Sequence, residues 1–138
     1  MKMKIMLDEG ARIDSPAHET DAGYDIYSRE AKLIRPRLSG TFDTGVHVAI
    51  PRGYVGFLKS KSGLNVKHDL TGEGVIDSGY TGKIVVKLYN NGRKIYRFNK
   101  GDKLIQLVLL PIITPELEVV DSFEETERGS DGFGSTGK

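Results

Sequence analysis

Apolar residues in this sequence come in short runs that turn residues cut off before a helix could build. Lys2–Leu7, Tyr24–Tyr27, Thr41–Asp43, Val46–Ile50, Tyr54–Leu58, Val75–Ile76, Ile84–Tyr89, Ile95–Phe98, Leu104–Leu110 and Leu117–Val120 alternate or stay apolar over a few positions. Ser39-Gly40, Pro51-Arg52-Gly53, Thr71-Gly72, Ser78-Gly79 and Pro115 separate them. Strand-length runs recurring about every 8–12 residues predict an all-β sandwich, jelly roll or barrel. The 17 glycines fit that pattern, since frequent turns need residues that accept positive φ. Helical spacing is confined to a short stretch around Ser62–Val66. The clearest local prediction is a hairpin in which Ile84–Tyr89 and Ile95–Phe98 flank Asn90-Asn91-Gly92, because Asn-Gly suits a positive-φ turn.

Composition narrows the function classes. At 138 residues the chain suits one domain. Lys plus Arg number 20 and Asp plus Glu 19, a net charge of +1, which argues against a basic nucleic-acid footprint over the whole surface. A local basic pocket remains open. The absence of cysteine excludes a disulfide scaffold, a thiolate zinc site and a cysteine nucleophile, and it fits a reducing compartment. No apolar run approaches the roughly 18 residues of a membrane span. The opening MKMKIMLDEG is basic and briefly apolar, and Asp8 and Glu9 end it too soon for a signal peptide. An intracellular, cytoplasmic protein is expected. Residues 1–127 carry the core pattern. Residues 128–138 are glycine-rich with almost no core material, and read as a flexible tail on the same domain.

Five segments could carry chemistry. The tail contains G-x-G-x-x-G and G-x-x-x-x-G-K patterns, but both work only between a strand and a helix, and neither flank is written here. Its glycine amides, Ser135, Thr136 and Arg128 can still wrap an oxyanion, and Phe133 can stack on a base. The alternative is a solvated tail. In Gly74-Val-Ile-Asp77-Ser-Gly-Tyr80 an apolar strand ends on a carboxylate, with an aromatic three residues later. Asp77 can serve as a general base for water. A turn-initiating Asp and a half-buried Tyr are the plainer reading. Lys59-Ser-Lys61-Ser-Gly63 suits phosphate, or else is a solvated basic loop. Gln106 interrupts an apolar strand and needs partners, either a ligand oxygen or neighbouring backbone. Asp25 can orient a metal's water shell or simply cap a strand end. His18, His47 and His68 show no ligand spacing and read as ordinary surface or packing residues.

Each segment is ambiguous alone. In order, Ala22-Gly-Tyr-Asp-Ile26, Lys61-Ser-Gly-Leu64, Gly74-Val-Ile-Asp-Ser-Gly-Tyr80, Gly101-Asp-Lys-Leu-Ile-Gln-Leu107 and Arg128-Gly-Ser-Asp-Gly-Phe-Gly-Ser-Thr-Gly137 closely resemble the five motifs of trimeric dUTPases, over nearly the whole chain. The resemblance implies a β jelly roll that hydrolyses dUTP to dUMP and pyrophosphate with Mg2+. That activity lowers dUTP and supplies dUMP for thymidylate synthesis. It also implies a homotrimer with three sites, each drawing on all three chains, with one chain's tail closing over a site formed by the other two. No membrane or nucleic-acid partner is expected.

Residue by residue, the resemblance makes Asp77 the general base and Tyr80 the aromatic beneath the deoxyribose, where a 2′-hydroxyl would clash. Lys61, Ser62 and Gly63 match the phosphate-contacting motif, and Gln106 matches the amide that reaches the α-phosphate. Main chain around Gly74, Val75, Ile76 and Val85 would read uracil. Arg128 would meet the γ-phosphate, Phe133 would stack on uracil, and Gly134, Ser135 and Thr136 would close on the phosphates. Asp25 resembles the first-motif carboxylate, one water removed from a metal held mainly by the triphosphate. The chain departs from the family where Lys61 and Lys103 replace common arginines, Gly79 replaces an acid, and Asp131 stands where Gly is frequent. Lys61 thereby turns a bidentate fork into a point charge. Two other readings share the fold: a dCTP deaminase, which activates water with a Glu, and a binding module without catalysis. Asp77 and the Phe-containing tail favour the dUTPase.

Overall fold

The computed structural model describes residues 1–134. Eleven strands and one short helix are present among them. The strands are β1 (Lys4–Leu7), β2 (Ile13–Asp14), β3 (Gly23–Tyr27), β4 (Lys32–Ile34), β5 (Ser39–Ala49) and β6 (Tyr54–Lys59). After α1 (Ser62–His68) come β7 (Leu70–Thr71), β8 (Glu73–Ile76), β9 (Lys83–Asn90), β10 (Tyr96–Phe98) and β11 (Lys103–Pro111). They form a four-stranded sheet β1-β5-β9-β7, a five-stranded sheet β2-β3-β11-β6-β8 and a β4-β10 ribbon, all antiparallel. The all-β expectation holds. The strands stay in three ladders and do not close into one hydrogen-bonded barrel.

Strand alternation sets what each sheet buries. In β9 Ile84, Val86, Leu88 and Asn90 point inward, and Lys83, Val85, Lys87 and Tyr89 point outward. Inward residues of all three ladders meet in one cluster that includes Ile26, Ile34, Phe42, Val86, Phe98 and Leu107. The Phe42 and Phe98 rings meet edge-on with centroids 5.2 Å apart, a favoured aromatic geometry.

Two expected runs, Thr41–Asp43 and Val46–Ile50, are one strand. β5 carries an irregularity between Asp43 and His47 against β9. Gly45 takes φ 66° there, and the buried Thr44 hydroxyl donates to the Ile84 carbonyl at 2.6 Å. Such a bulge re-aims the strand without ending it.

The predicted hairpin between Ile84–Tyr89 and Ile95–Phe98 does not form. β9 pairs with β5 and β7, and β10 pairs with β4. The cause is Asn90, which is buried. Its Nδ2 donates to the carbonyls of Ile34 (2.9 Å) and Lys94 (2.8 Å), and its Oδ1 accepts from the Gly92 amide at 3.0 Å. These bonds shape a loop that leaves the sheet, and Gly92 is not among the residues with positive φ. The expected strand at Leu117–Val120 is also absent. Leu117 and Val119 are almost fully exposed, and no described strand of the chain pairs with them.

The helix falls where predicted. It closes on Asp69 in the left-handed conformation at φ 56°, with Lys67 and His68 in the last turn. No helix among the described residues is long and apolar enough to cross a membrane.

Candidate active site

Sheet register gathers the first group of site residues. Asp25 on β3 lies opposite Gln106 on β11, which lies opposite Lys59 at the end of β6. The chain then turns through Ser60 into Lys61, the residue that opens α1. Lys61 Nζ donates to the Asp25 carboxylate at 2.6 Å, and Lys103 Nζ approaches its other oxygen at 3.3 Å. One half-buried carboxylate thus holds two cations beside the exposed Ser62 and Gly63. Gln106 Nε2 donates to the Ser60 carbonyl at 3.1 Å. The structure therefore provides the backbone partner that a half-buried amide needs.

Gly23 explains how Gln106 fits. A Cβ at position 23 would stand 2.1 Å from Gln106 Oε1 and 2.9 Å from its Cβ. The glutamine side chain therefore lies across a bare backbone. Gly23→Ala is expected to destabilise the fold by about 1–3 kcal/mol through overpacking. Adding Gln106→Ala should recover most of that loss in denaturant melts. Additive losses would contradict the contact.

The second group sits on β8 and the turn after it. β8 pairs with β6 on one side and forms the edge of its sheet, so Gly74–Ile76 present main-chain donors and acceptors on the other side. Val75 and Val85 are exposed beside it. Asp77 follows, exposed, and its carboxylate has no side-chain partner among the described residues. The Tyr80 amide donates to the Asp77 carbonyl at 3.0 Å, closing the turn. The Tyr80 hydroxyl donates to the Lys83 carbonyl at 2.7 Å, and its ring crosses Gly82, where a Cβ would come within 2.6 Å. The ring is thereby fixed with its other side to solvent.

Sequence reading missed one residue here. His47 Nδ1 lies 3.0 Å from the Thr81 carbonyl and Nε2 lies 3.0 Å from Asp8 Oδ1. Those partners are 34 and 39 residues away, so no local pattern marks them.

Within one chain the two groups stay apart. Ile76 is level with Gly56 and Leu109, three positions along β11 from Gln106. At about 3.3 Å per residue and about 4.8 Å between strands, Asp77 stands roughly 15 Å from the Asp25–Gln106 cluster. The described part of the tail, up to Gly134, joins neither group. Arg128 Nε donates to the Asp131 carbonyl at 2.6 Å, and Phe133 is fully exposed at φ 51°, followed by Gly134 at φ 84°. Ser135 and Thr136 lie outside the described residues. Beyond β11, Ile113, Leu117, Val119 and Phe123 are each at least 88% exposed. A cavity of about 590 Å³ lined by Arg37, Lys67, Arg93 and Tyr96 contains none of the predicted site residues.

Asp25 is already neutralised by two ammonium groups, and the described residues contain no cluster of three or more potential metal-ligating acids or histidines. Mg2+ commonly binds through substrate phosphates with few protein ligands, which suits an ion arriving on a triphosphate.

Fold and residues place the chain among jelly-roll β proteins, and the comparisons place it more narrowly. The family model for dUTPase matches residues 9–137. A deoxyuridine 5'-triphosphate nucleotidohydrolase of Kluyveromyces lactis is 43% identical, covering 99% of this chain and 94% of its own. A mutant dUTPase of Staphylococcus bacteriophage 80alpha, solved with dUpNHpp, matches at a TM-score of 0.93 and 35% identity over 99% of both chains. A mutant dUTPase from phage phi11 of S. aureus, whose structure is described by its coordination of a structural Mg(II) ion, matches at a TM-score of 0.85 and 37% identity. It covers 91% of this chain and 100% of that one. The chain belongs to the dUTPase family, and is an enzyme of that family, a hydrolase of nucleotide metabolism.

Proposed function

We propose that this chain hydrolyses dUTP to dUMP and pyrophosphate at sites assembled from three copies of itself. The observation that carries this reading is the pair of exposed, incomplete half-sites that one chain holds roughly 15 Å apart. One half offers Lys61, Lys103 and Gln106 to phosphates. The other offers an edge strand, a fixed aromatic ring and an unpaired carboxylate. A symmetric trimer can set one half against a neighbour's other half three times over. The exposed apolar stretch after β11 supports a tail that leaves its own domain and covers a neighbour.

In the assembled site the edge of β8 pairs with uracil through main-chain groups. Cytosine presents the opposite polarity at its 4-position and would leave those groups unpaired, which is costly. Close packing around Val75 and Val85 excludes thymine's methyl. Tyr80 lies under the deoxyribose and has no room for a 2′-hydroxyl. Asp77 accepts a proton from water as the water oxygen attacks the α-phosphorus. The bond from that phosphorus to the α,β-bridging oxygen breaks, and pyrophosphate leaves. A carboxylate is a weak base at neutral pH, so its orientation of the water matters more than its basicity. Lys61 and Gln106 hold the phosphates in line. Asp25 organises the two lysines, and any contact it makes with the substrate's Mg2+ passes through water. Arg128, Phe133, Gly134, Ser135 and Thr136 close over γ-phosphate, base and phosphates. The product dUMP is then available for thymidylate synthesis.

The test is pyrophosphate release from dUTP, with dCTP, dTTP and UTP alongside, with and without Mg2+. Selective, metal-dependent release from dUTP is expected. Comparable release from dCTP or UTP, or silence from the folded protein, contradicts the reading.

A further inference from the structure

The His47 ring nitrogens face two acceptors. Nδ1 meets a backbone carbonyl and Nε2 meets a carboxylate oxygen, each at 3.0 Å. Neither partner can donate. A neutral imidazole carries one N–H and can satisfy one of them, whereas an imidazolium carries two and satisfies both. The His47 side chain is only 18% exposed, so water does not readily replace a lost bond. Among the described residues, its bond to Thr81 is the one side-chain hydrogen bond that ties the 77–82 turn to a strand other than the flanking β8 and β9, since the Tyr80 hydroxyl reaches only Lys83 at the start of β9.

We propose that His47 is a positioning residue. As an imidazolium it clamps the Thr81 carbonyl to Asp8 and so fixes the turn that carries Asp77 and Tyr80. This rests on the roles given above to those two residues. His47 sits on β5 opposite Met6 of β1 and Lys83 of β9. Asp8 follows β1. Lys83 is itself drawn to Asp43 at 2.6 Å, and Asp43 also holds Arg29 at 2.9 Å. The charged groups around the ring are therefore one facing carboxylate and one lysine whose charge is partly met elsewhere. The Thr81 carbonyl, and Asp8 besides, raise the His47 pKa above its ordinary 6.5, against partial burial and Lys83. The clamp is complete below about pH 6.5. It is lost as the pH rises through the higher folded-state value, when one contact becomes lone pair against lone pair.

Hydrogen exchange of the 77–83 segment in the assembled protein without substrate tests this, with intrinsic rates corrected for pH. Protection in the wild type is expected to fall roughly fivefold as His47 loses its proton, the worth of one hydrogen bond. His47→Gln should show no such step. Asp8→Asn should move the step to lower pH, which a merely structural histidine would not do. The pH profile of kcat/KM for dUTP should carry the same high-pH limb in the wild type and lack it in His47→Gln. Protection that is flat through the His47 titration, or an unchanged step in His47→Gln, overturns the clamp. Asp77→Asn separates this from the underlying reading. Lost turnover there with flat exchange leaves the base assignment standing and removes the clamp. Retained turnover with a responsive turn does the reverse.

Discussion

Asp77→Asn is expected to lower kcat for dUTP by at least about 10²-fold, the usual worth of a positioned general base, with KM close to wild type. The change is nearly isosteric and removes the negative charge and one acceptor oxygen, and with them the ability to orient water and take its proton. Because the carboxylate is exposed and has no side-chain partner among the described residues, no structural contact goes with it. Stability should stay within about 0.5 kcal/mol, as for a surface substitution away from special features. Pyrophosphate release and a thermal melt on one preparation check both halves. Near-wild-type turnover would remove Asp77 from the chemistry. A lowered melting temperature would show that the side chain supports the turn.

Truncation before Arg128 should leave the assembly intact and reduce kcat/KM by about 10²-fold or more. The expectation adds a stacked base, worth about 1–3 kcal/mol, to a charge-assisted bond of about 1.5–3 kcal/mol. Little of the core would be lost, since residues 128–131 and Phe133 are exposed and Gly132 is half-buried. Light scattering and steady-state kinetics measure the two effects separately. Unchanged turnover would remove the lid, and dissociation would make the tail an assembly element. Phe133→Ala divides the effect, because it removes the stacking surface and keeps Arg128.

The fold was legible where side-chain alternation alone decides it. β9 reads inside and outside by turns, and α1 falls where lysine, serine and glycine precede a short apolar pattern. Legibility failed where one tertiary contact outweighed local preference. Asn90 and Gly92 look like a hairpin turn, yet the Asn90 amide is spent on Ile34 and Lys94, and β10 finds its partner in β4. The bulge at Thr44-Gly45 splits a single strand into two apparent runs. Leu117–Val120 carries a strand pattern whose partner is not among the described strands of the same chain. For the site, the carboxylates, lysines and Gln106 were legible as residue types in order. The gap between the two halves was not, because it depends on which strands pair. Gly23 and His47 were silent for the same reason, each acting through a residue far away in sequence.

Complementation between chains tests the shared site most directly. Asp77→Ala and Lys61→Ala chains, each expected to be nearly inactive alone, would be co-expressed and assembled at random. If Asp77 and Lys61 of one site come from different chains, half the Asp77 turns and half the Lys61 clusters are intact. About one quarter of the sites are then complete in a symmetric assembly. Recovery of about a quarter of wild-type turnover is the predicted result. Mixed assemblies as inactive as their parents would place both residues of each site in one chain and contradict the account.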